Sequence, residues 1–296
     1  MKSIPASCIA RVLAIVACIL AVTLLGMGRK DLTNKQIITV DKPGLLVIER
    51  NLHARHGPAI VVRQSWVTID LGGHAIVCEK QPGIVIAPGV RGVTIRNGMI
   101  ISPSVGIDGS AAEMVSVQDV ALERPVQAGI VLGAGAQVRG VRVWQGAGNG
   151  IVVGSRSVVS ETTVLACAGV GIATGAGSVV DRVVAGNNGD AGVSIGRGSA
   201  IVDSVAMSNI GPGVVASYAC VVRTVTAKSN ATDGIVADDG SIIEQCAAGD
   251  NGGDGVRIGA GSMVRGLSAR SNTGRGLVVG AQSRASDVTE TNNGTP

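Results

Sequence analysis

A column of glycines recurring at every twenty-first residue constrains this chain more than any other feature: Gly129, Gly150, Gly171, Gly192, Gly213, Gly234, Gly255 and Gly276. It defines eight consecutive units running to Pro296. A fixed period of about 20–50 residues belongs to solenoids, propellers or arrays. The second place in each unit holds Ile130, Ile151, Ile172, Val193, Val214, Ile235, Val256 or Leu277. The tenth holds Val138, Val159, Val180, Ile201, Val222, Ile243, Val264 or Ala285. Short β-branched runs bounded by Gly, Asn or Asp, such as Gly150-Ile-Val-Val-Gly154, read as strands. No unit has room for a helix beside its strands. One turn of chain per unit, with each strand paired to its copy one unit on, makes a parallel β-helix with rungs about 4.8 Å apart.

Column chemistry agrees with stacking. Places 2, 4, 8, 10, 13 and 15 are apolar or small and are expected to face inward, while places 11 and 12 carry charge. Arg223, Glu244 and Arg265 follow one another at place 11, and Glu161, Arg182 and Asp203 at place 12. Opposite charges one rung apart stabilise a ladder. Place 18 is Asn188, Asn209, Asn230, Asn251, Asn272 and Asn293, after Gly146 and Cys167. That column forms either an amide ladder along the axis or a series of left-handed turn residues. Place 9, expected to face outward, is apolar at Val158, Val179, Ala200, Val221, Ile242 and Met263, and place 3 is similar. Either an exposed apolar strip awaits a partner, or a bulge shifts the facing by one residue.

The repeat Gly-Ile/Val-x-x-Gly-x-Gly-Ser-x-Val, with Asn before the next Gly, resembles the right-handed parallel β-helix repeats of the pectin-lyase-like superfamily. Ser65-Trp-Val-Thr-Ile-Asp-Leu-Gly-Gly-His-Ala-Ile76, echoed by Gly92-Val-Thr-Ile-Arg-Asn-Gly-Met-Ile100, is similar to the opening coil of such proteins. The resemblance covers residues 36–296 and implies an all-β right-handed solenoid of about ten coils over 65–296. It leaves function open, because the superfamily holds lyases, hydrolases, epimerases, adhesins and inactive scaffolds.

Residues 1–28 differ from the rest. Lys2 and Arg11 precede an apolar run from Val12 to Met27, the plan of an export signal. A cleaved signal, an uncleaved anchor and a lipoprotein leader ending at Cys18 are the three readings. All of them place the rest of the chain outside the cytoplasm. Residues 29–64 are expected to form N-terminal cap strands, since a solenoid must cover its first rung. Coils from Gly83 and Gly106 are each 23 residues long before the period settles at 21. The last unit decays, with Arg284, Ala285 and Glu290 in apolar columns, so its end is either self-capping or pairs with another chain. Cys78, Cys167, Cys220 and Cys246 fall in different columns and suit small buried places, although an exported chain also permits disulfides.

Few residues offer chemistry. The three histidines, His53, His56 and His74, all precede the repeats, so no serine of the array gains a proton acceptor there. No phosphate loop or zinc-spaced Cys/His set is present. A net charge of +4 with only two Trp, one Tyr and no Phe argues against nucleic acid. Arg50, His53, Arg55 and His56 read as a small basic loop, either one that meets an anionic polymer or, more simply, a solvated one.

One acidic cluster stands apart. Asp233 and Asp254 share place 21 in adjacent units, Arg275 follows in that column, Arg257 takes place 3, and Asp238 and Asp239 interrupt a Gly-x-Gly turn. Resemblance to the pectate-lyase-like enzymes implies that such Asp residues bind Ca²⁺ and such an Arg acts as base. Asp233, Asp254 and Arg257 are then the catalytic candidates, and Asp233, Asp238, Asp239 and Asp254 the metal candidates. The combined Asn-Thr-Asp, Asp-Asp and Gly-His-Gly set of polygalacturonases is not present as a set, and the Asp-Pro-His-Asp of alginate epimerases is absent. The simpler reading is turn-forming Asp residues with an Asp–Arg ladder. The sequence therefore favours an exported, non-catalytic β-helix that binds or scaffolds polysaccharide or protein at the cell surface, with self-association through the C-terminal coil or the apolar strip. A polysaccharide lyase, hydrolase or epimerase is the alternative.

Overall fold

The computed structural model describes residues 37–294. The expected signal or anchor at 1–28, with Cys8 and Cys18, lies outside the described residues. Every element among those described is a strand, and the strands pair in parallel from one coil to the next.

Twelve coils stack, rather than about ten. The extra coils come from the N-terminal segment expected as a cap. Strands β1 (Ile38–Val40), β2 (Gly44–Val47) and β3 (Leu52–Ala54) form a complete first coil, paired in register with Ile60–Val62, Val67–Asp70 and Ala75–Cys78. Along the first sheet Ile38, Ile60, Ile84, Ile107 and Ile130 are successive partners, at spacings of 22, 24, 23 and 23 residues. Those uneven spacings hide the coil from a search for a fixed period.

From Gly129 on, each coil repeats one plan. Places 2–4 form a strand of the 12-stranded first sheet, as in Ile172–Thr174. Places 9–11 and 14–16 form two strands of a second sheet, as in Val179–Asp181 and Val184–Gly186. The two meet at a bend where place 12 is left-handed: Glu161, Arg182, Asp203, Thr224 and Gln245 all have φ near 50°. A second left-handed residue stands at place 17, for example Asn187, Ser208 and Ser229. The left-handed role expected for the Asn column thus falls one residue earlier.

The glycine column has a steric cause. A Cβ on any glycine from Gly129 to Gly255 would lie 2.5–2.7 Å from the carbonyl oxygen of the next glycine in the column. No side chain fits between rungs there, and the same crowding extends the column back to Gly83.

The core is a thin stack of Ile, Val, Leu and Ala, including Ile130, Ile151, Ile172, Val193, Ile201 and Ile235, with almost no exposure. Two polar ladders run beside it. Asn188, Asn209, Asn230, Asn251 and Asn272 are buried. Each accepts at Oδ1 from the preceding Asn or Cys backbone NH at 3.0–3.1 Å and donates Nδ2 onward to the next Asn Oδ1 at 2.8–3.0 Å. At place 8, Ser157, Ser178, Ser199, Ser241 and Ser262 are also buried, and each hydroxyl accepts a backbone NH from the previous rung at 3.0–3.2 Å. A buried NH left unpaired costs free energy, and these columns satisfy turns that no strand pairing reaches.

Candidate functional site

Asp233 and Asp254 stand just before consecutive first-sheet strands, Ile235–Ala237 and Val256–Ile258, which pair in register. Stacking sets their spacing, and the turn conformation turns each carboxylate along the axis. Asp233 Oδ1 accepts the backbone NH of Asp254 at 2.7 Å, and Asp254 Oδ1 accepts that of Arg275 at 2.8 Å. Asn149 does the same for Val170 in the same column at 3.0 Å. The two Asp residues therefore perform the capping task of an Asn. Arg257, pointing out from its strand, closes the group: Nη2 lies 2.8 Å from Asp254 Oδ2 and 3.2 Å from Asp233 Oδ2. Arg275 gives only its backbone NH and makes no ion pair within 4 Å among the described residues.

Asp238 and Asp239 are not brought to this group. They lie beyond the far end of strand Ile235–Ala237, which separates them from Asp233. Asp239 Oδ1 accepts the NH of Ala260 at 2.6 Å, and Asp238 is exposed. The four carboxylates do not converge. No group of three or more His, Cys, Asp or Glu among the described residues is placed to hold a metal ion. The donor set does not suit a calcium ion, which takes six to eight oxygens, because each clustered Asp spends one oxygen on a backbone NH and turns the other to Arg257.

Other sequence candidates disperse. His53 lies within β3 rather than in a loop, its Nδ1 buried without a hydrogen-bond partner, and Arg55 pairs with Glu79 at 3.0 Å. Of the charge ladders, Glu161 is held by Arg139 and Arg182, each at 3.0 Å, and these two hydrogen bonds lower its carboxyl below the ordinary range. Arg182 turns to Asp181 rather than Asp203. Arg223, Glu244 and Arg265 are in register yet form no mutual ion pair within 4 Å. The four cysteines are free and buried, and burial pushes the Cys78 thiol to about 12 and that of Cys246 to about 11.

The apolar strip at place 9 does face outward. Val158, Val179, Ile242 and Met263 are 36–44% exposed while their successors Val159, Val180, Ile243 and Val264 are buried, and pairing continues without a bulge. A concavity of about 590 Å³ lies against the first coil, among Ile38, Leu46, Ile48, Glu49, Arg50 and Leu52.

Together the stacked coils, the inward aliphatic columns and the amide ladder define a parallel β-helix protein, and solved structures agree. A double mutant of the periplasmic alginate epimerase AlgG is similar with a TM-score of 0.60 at 13% identity, over 86% of this chain and 76% of that one. The mannuronan C-5 epimerase AlgE4 A-module of Azotobacter vinelandii is similar with a TM-score of 0.53 at 14% identity, over 86% and 91%. The Agl-KA catalytic domain is similar with a TM-score of 0.56 at 11% identity, over 81% and 62%. No family matches the chain by sequence, and no curated protein does. The fold that these structures share with this chain is the parallel β-helix.

Proposed function

We propose that the chain is an exported β-helix protein that binds or scaffolds polysaccharide at the cell surface without turning it over. The observation that carries this reading is the regular wall around the acidic group. In the 21-residue coils the strands are joined by turns of two, four or six residues, so no inserted loop builds a cleft beside Asp233, Asp254 and Arg257. An acid–base pair needs a carboxylate free to exchange protons with substrate, and both carboxylates are occupied by backbone NH groups and by Arg257. Support for polysaccharide as the ligand comes from the likeness of fold to two alginate epimerases, with a surface protein as the other partner class. Calcium is not required on this reading, and membrane contact runs through residues 1–28 where those are retained.

The same likeness favours the second reading, a polysaccharide lyase, hydrolase or epimerase centred on Asp233, Asp254 and Arg257. A glycan array probed with the full chain, followed by turnover assays on each ligand bound, separates the two. Binding is expected with no new reducing ends, no unsaturated products and no change in uronate configuration. Turnover that disappears in Asp254→Asn would establish the enzyme instead.

A further inference from the structure

The outward face of the second sheet carries a built notch away from the acidic group. Strands Thr226–Lys228, Ala247–Gly249 and Met263–Arg270 pair in register, so that Thr226, Ala247 and Ser268 form one row and Lys228, Gly249 and Arg270 the next. The middle rung is small at both places. Its neighbours stand two rungs apart, about 9–10 Å, and enclose a concavity of about 180 Å³. Arg270 leans over the floor: a Cβ on Gly249 would lie 3.5 Å from its Cγ and 3.9 Å from its Nε. Gly186 occupies the same column three coils earlier, but between Leu165 and Met207, where the floor is walled by apolar side chains. Among the described residues, only at Gly249 do two cations flank a glycine floor.

Resting on the polysaccharide reading, we propose that this notch is a subsite for the acid group of a uronic-acid polysaccharide, held between Lys228 and Arg270 above Gly249. Arg270 makes no ion pair within 4 Å among the described residues, so its planar fork is open to a carboxylate. Lys228 is 3.3 Å from Asp250, both about half exposed, and such a pair is weak enough to give way to a ligand. Two cations against one carboxylate leave the notch net positive. The exposed hydroxyls of Thr226 and Ser268 border the floor, where sugar hydroxyls would meet them. A sulfate ester presents the same oxyanion chemistry, and the test distinguishes the two.

Titration calorimetry on the full chain with alginate oligosaccharides, dextran sulfate and neutral dextran supplies that test. Alginate is expected to bind, more weakly as salt is added. The Lys228→Ala/Arg270→Ala pair is expected to bind about ten-fold or more weakly, the size of effect lost with charge-assisted hydrogen bonds. Gly249→Leu keeps every charge but fills the floor, and a comparable loss is expected. Arg265→Ala, on another column, should bind as the native chain does. Melting temperatures identify any variant that fails to fold, and the charge reversal Arg270→Glu at an exposed place then stands in for it. Alginate binding that survives both the double substitution and Gly249→Leu overturns the notch and leaves the polysaccharide reading intact. Binding of neutral dextran alone does the same, and preference for dextran sulfate over alginate replaces the uronate by a sulfate ester. Binding of none of the three overturns both the notch and the reading on which it rests.

Discussion

Asn230 Nδ2 donates to Asn251 Oδ1 at 3.0 Å, and the same Nδ2 reaches the carbonyl of Ala206 at 3.2 Å. Asn230 Oδ1 in turn accepts both the backbone NH and the Nδ2 of Asn209. One buried amide thus satisfies the turns of neighbouring coils. Asn230→Ala leaves buried donors on Asn209 unpaired and should cost about 2–4 kcal/mol. Asn293→Ala, at the half-buried end of the ladder, should cost less, about 1 kcal/mol. Urea midpoints for the two variants check the contrast, and equal losses would mean that the ladder is incidental.

The glycines divide into two kinds. Gly171→Ala would place a Cβ 2.5 Å from the Gly192 carbonyl oxygen, a backbone atom that cannot rotate away. A loss of about 3 kcal/mol is expected, at the upper end of overpacking costs. Gly198 has φ of 64° and open space around its missing Cβ. Gly198→Ala should cost only the left-handed penalty, about 1–2 kcal/mol. Thermal or urea denaturation ranks the pair, and the reverse order would refute the steric account.

Ile201 is fully buried, while Val179, in the column beside it, is 40% exposed. Ile201→Ala should therefore cost about 2–5 kcal/mol, and Val179→Ala within about 0.5 kcal/mol. A loss under about 1 kcal/mol for Ile201→Ala would move this column to the surface.

The sequence revealed the coils wherever the period was constant and failed where it drifted. From Gly129 on, place-by-place facing could be read directly, because each strand has a fixed period of two and each coil a fixed 21 residues. Residues 38–54 have the same strands but spacings of 22, 23 and 24 to their partners, and β1 is preceded by Ile37 where later coils have the column glycine. The serine ladder was visible as a repeat yet not as hydrogen bonding, since nothing in Ser157 or Ser178 says that its hydroxyl meets an NH one coil away. The acidic group was legible in part. Stacking predicted that Asp233, Asp254 and Arg257 meet, but a rung diagram cannot show that an intervening strand keeps Asp238 and Asp239 apart from them. The Gly249 notch depends on how Arg270 lies across a missing side chain, which is rotamer information and absent from the sequence.

Burial of the thiols makes stability fall at high pH. Cys78 is pushed from an ordinary 9.0 up to about 12, and Cys246 to about 11, chiefly by desolvation. Above pH 9 the unfolded chain sheds these protons while the folded chain keeps them. The unfolded state then binds fewer protons, so unfolding becomes easier as pH rises. Stability is complete below the unfolded value and is lost progressively toward the folded one. A melting-temperature series from pH 8 to pH 11 should decline, and Cys78→Ala should flatten part of that decline. A slope unchanged in Cys78→Ala would remove this thiol as its source. Thiol reagents should label all four described cysteines only after denaturation.

The acidic group decides between scaffold and metal-assisted enzyme, and its geometry gives a signed expectation. A calcium site needs several charged oxygens converging without a cation among them. Here Arg257 sits between the two carboxylates, and each Asp has its other oxygen committed to an NH. Calcium should therefore leave the melting temperature unchanged relative to chelator. Asp254→Asn preserves the oxygen that accepts the Arg275 NH and should shift stability by less than about 1 kcal/mol, since Arg257 is largely exposed. Asp254→Ala loses the acceptor as well and should cost about 1 kcal/mol more. Ligand binding to the native state raises stability in proportion to the logarithm of concentration. A calcium-dependent rise that grows in this way and vanishes in Asp254→Asn would place a cation between the two coils and make the catalytic reading the stronger one.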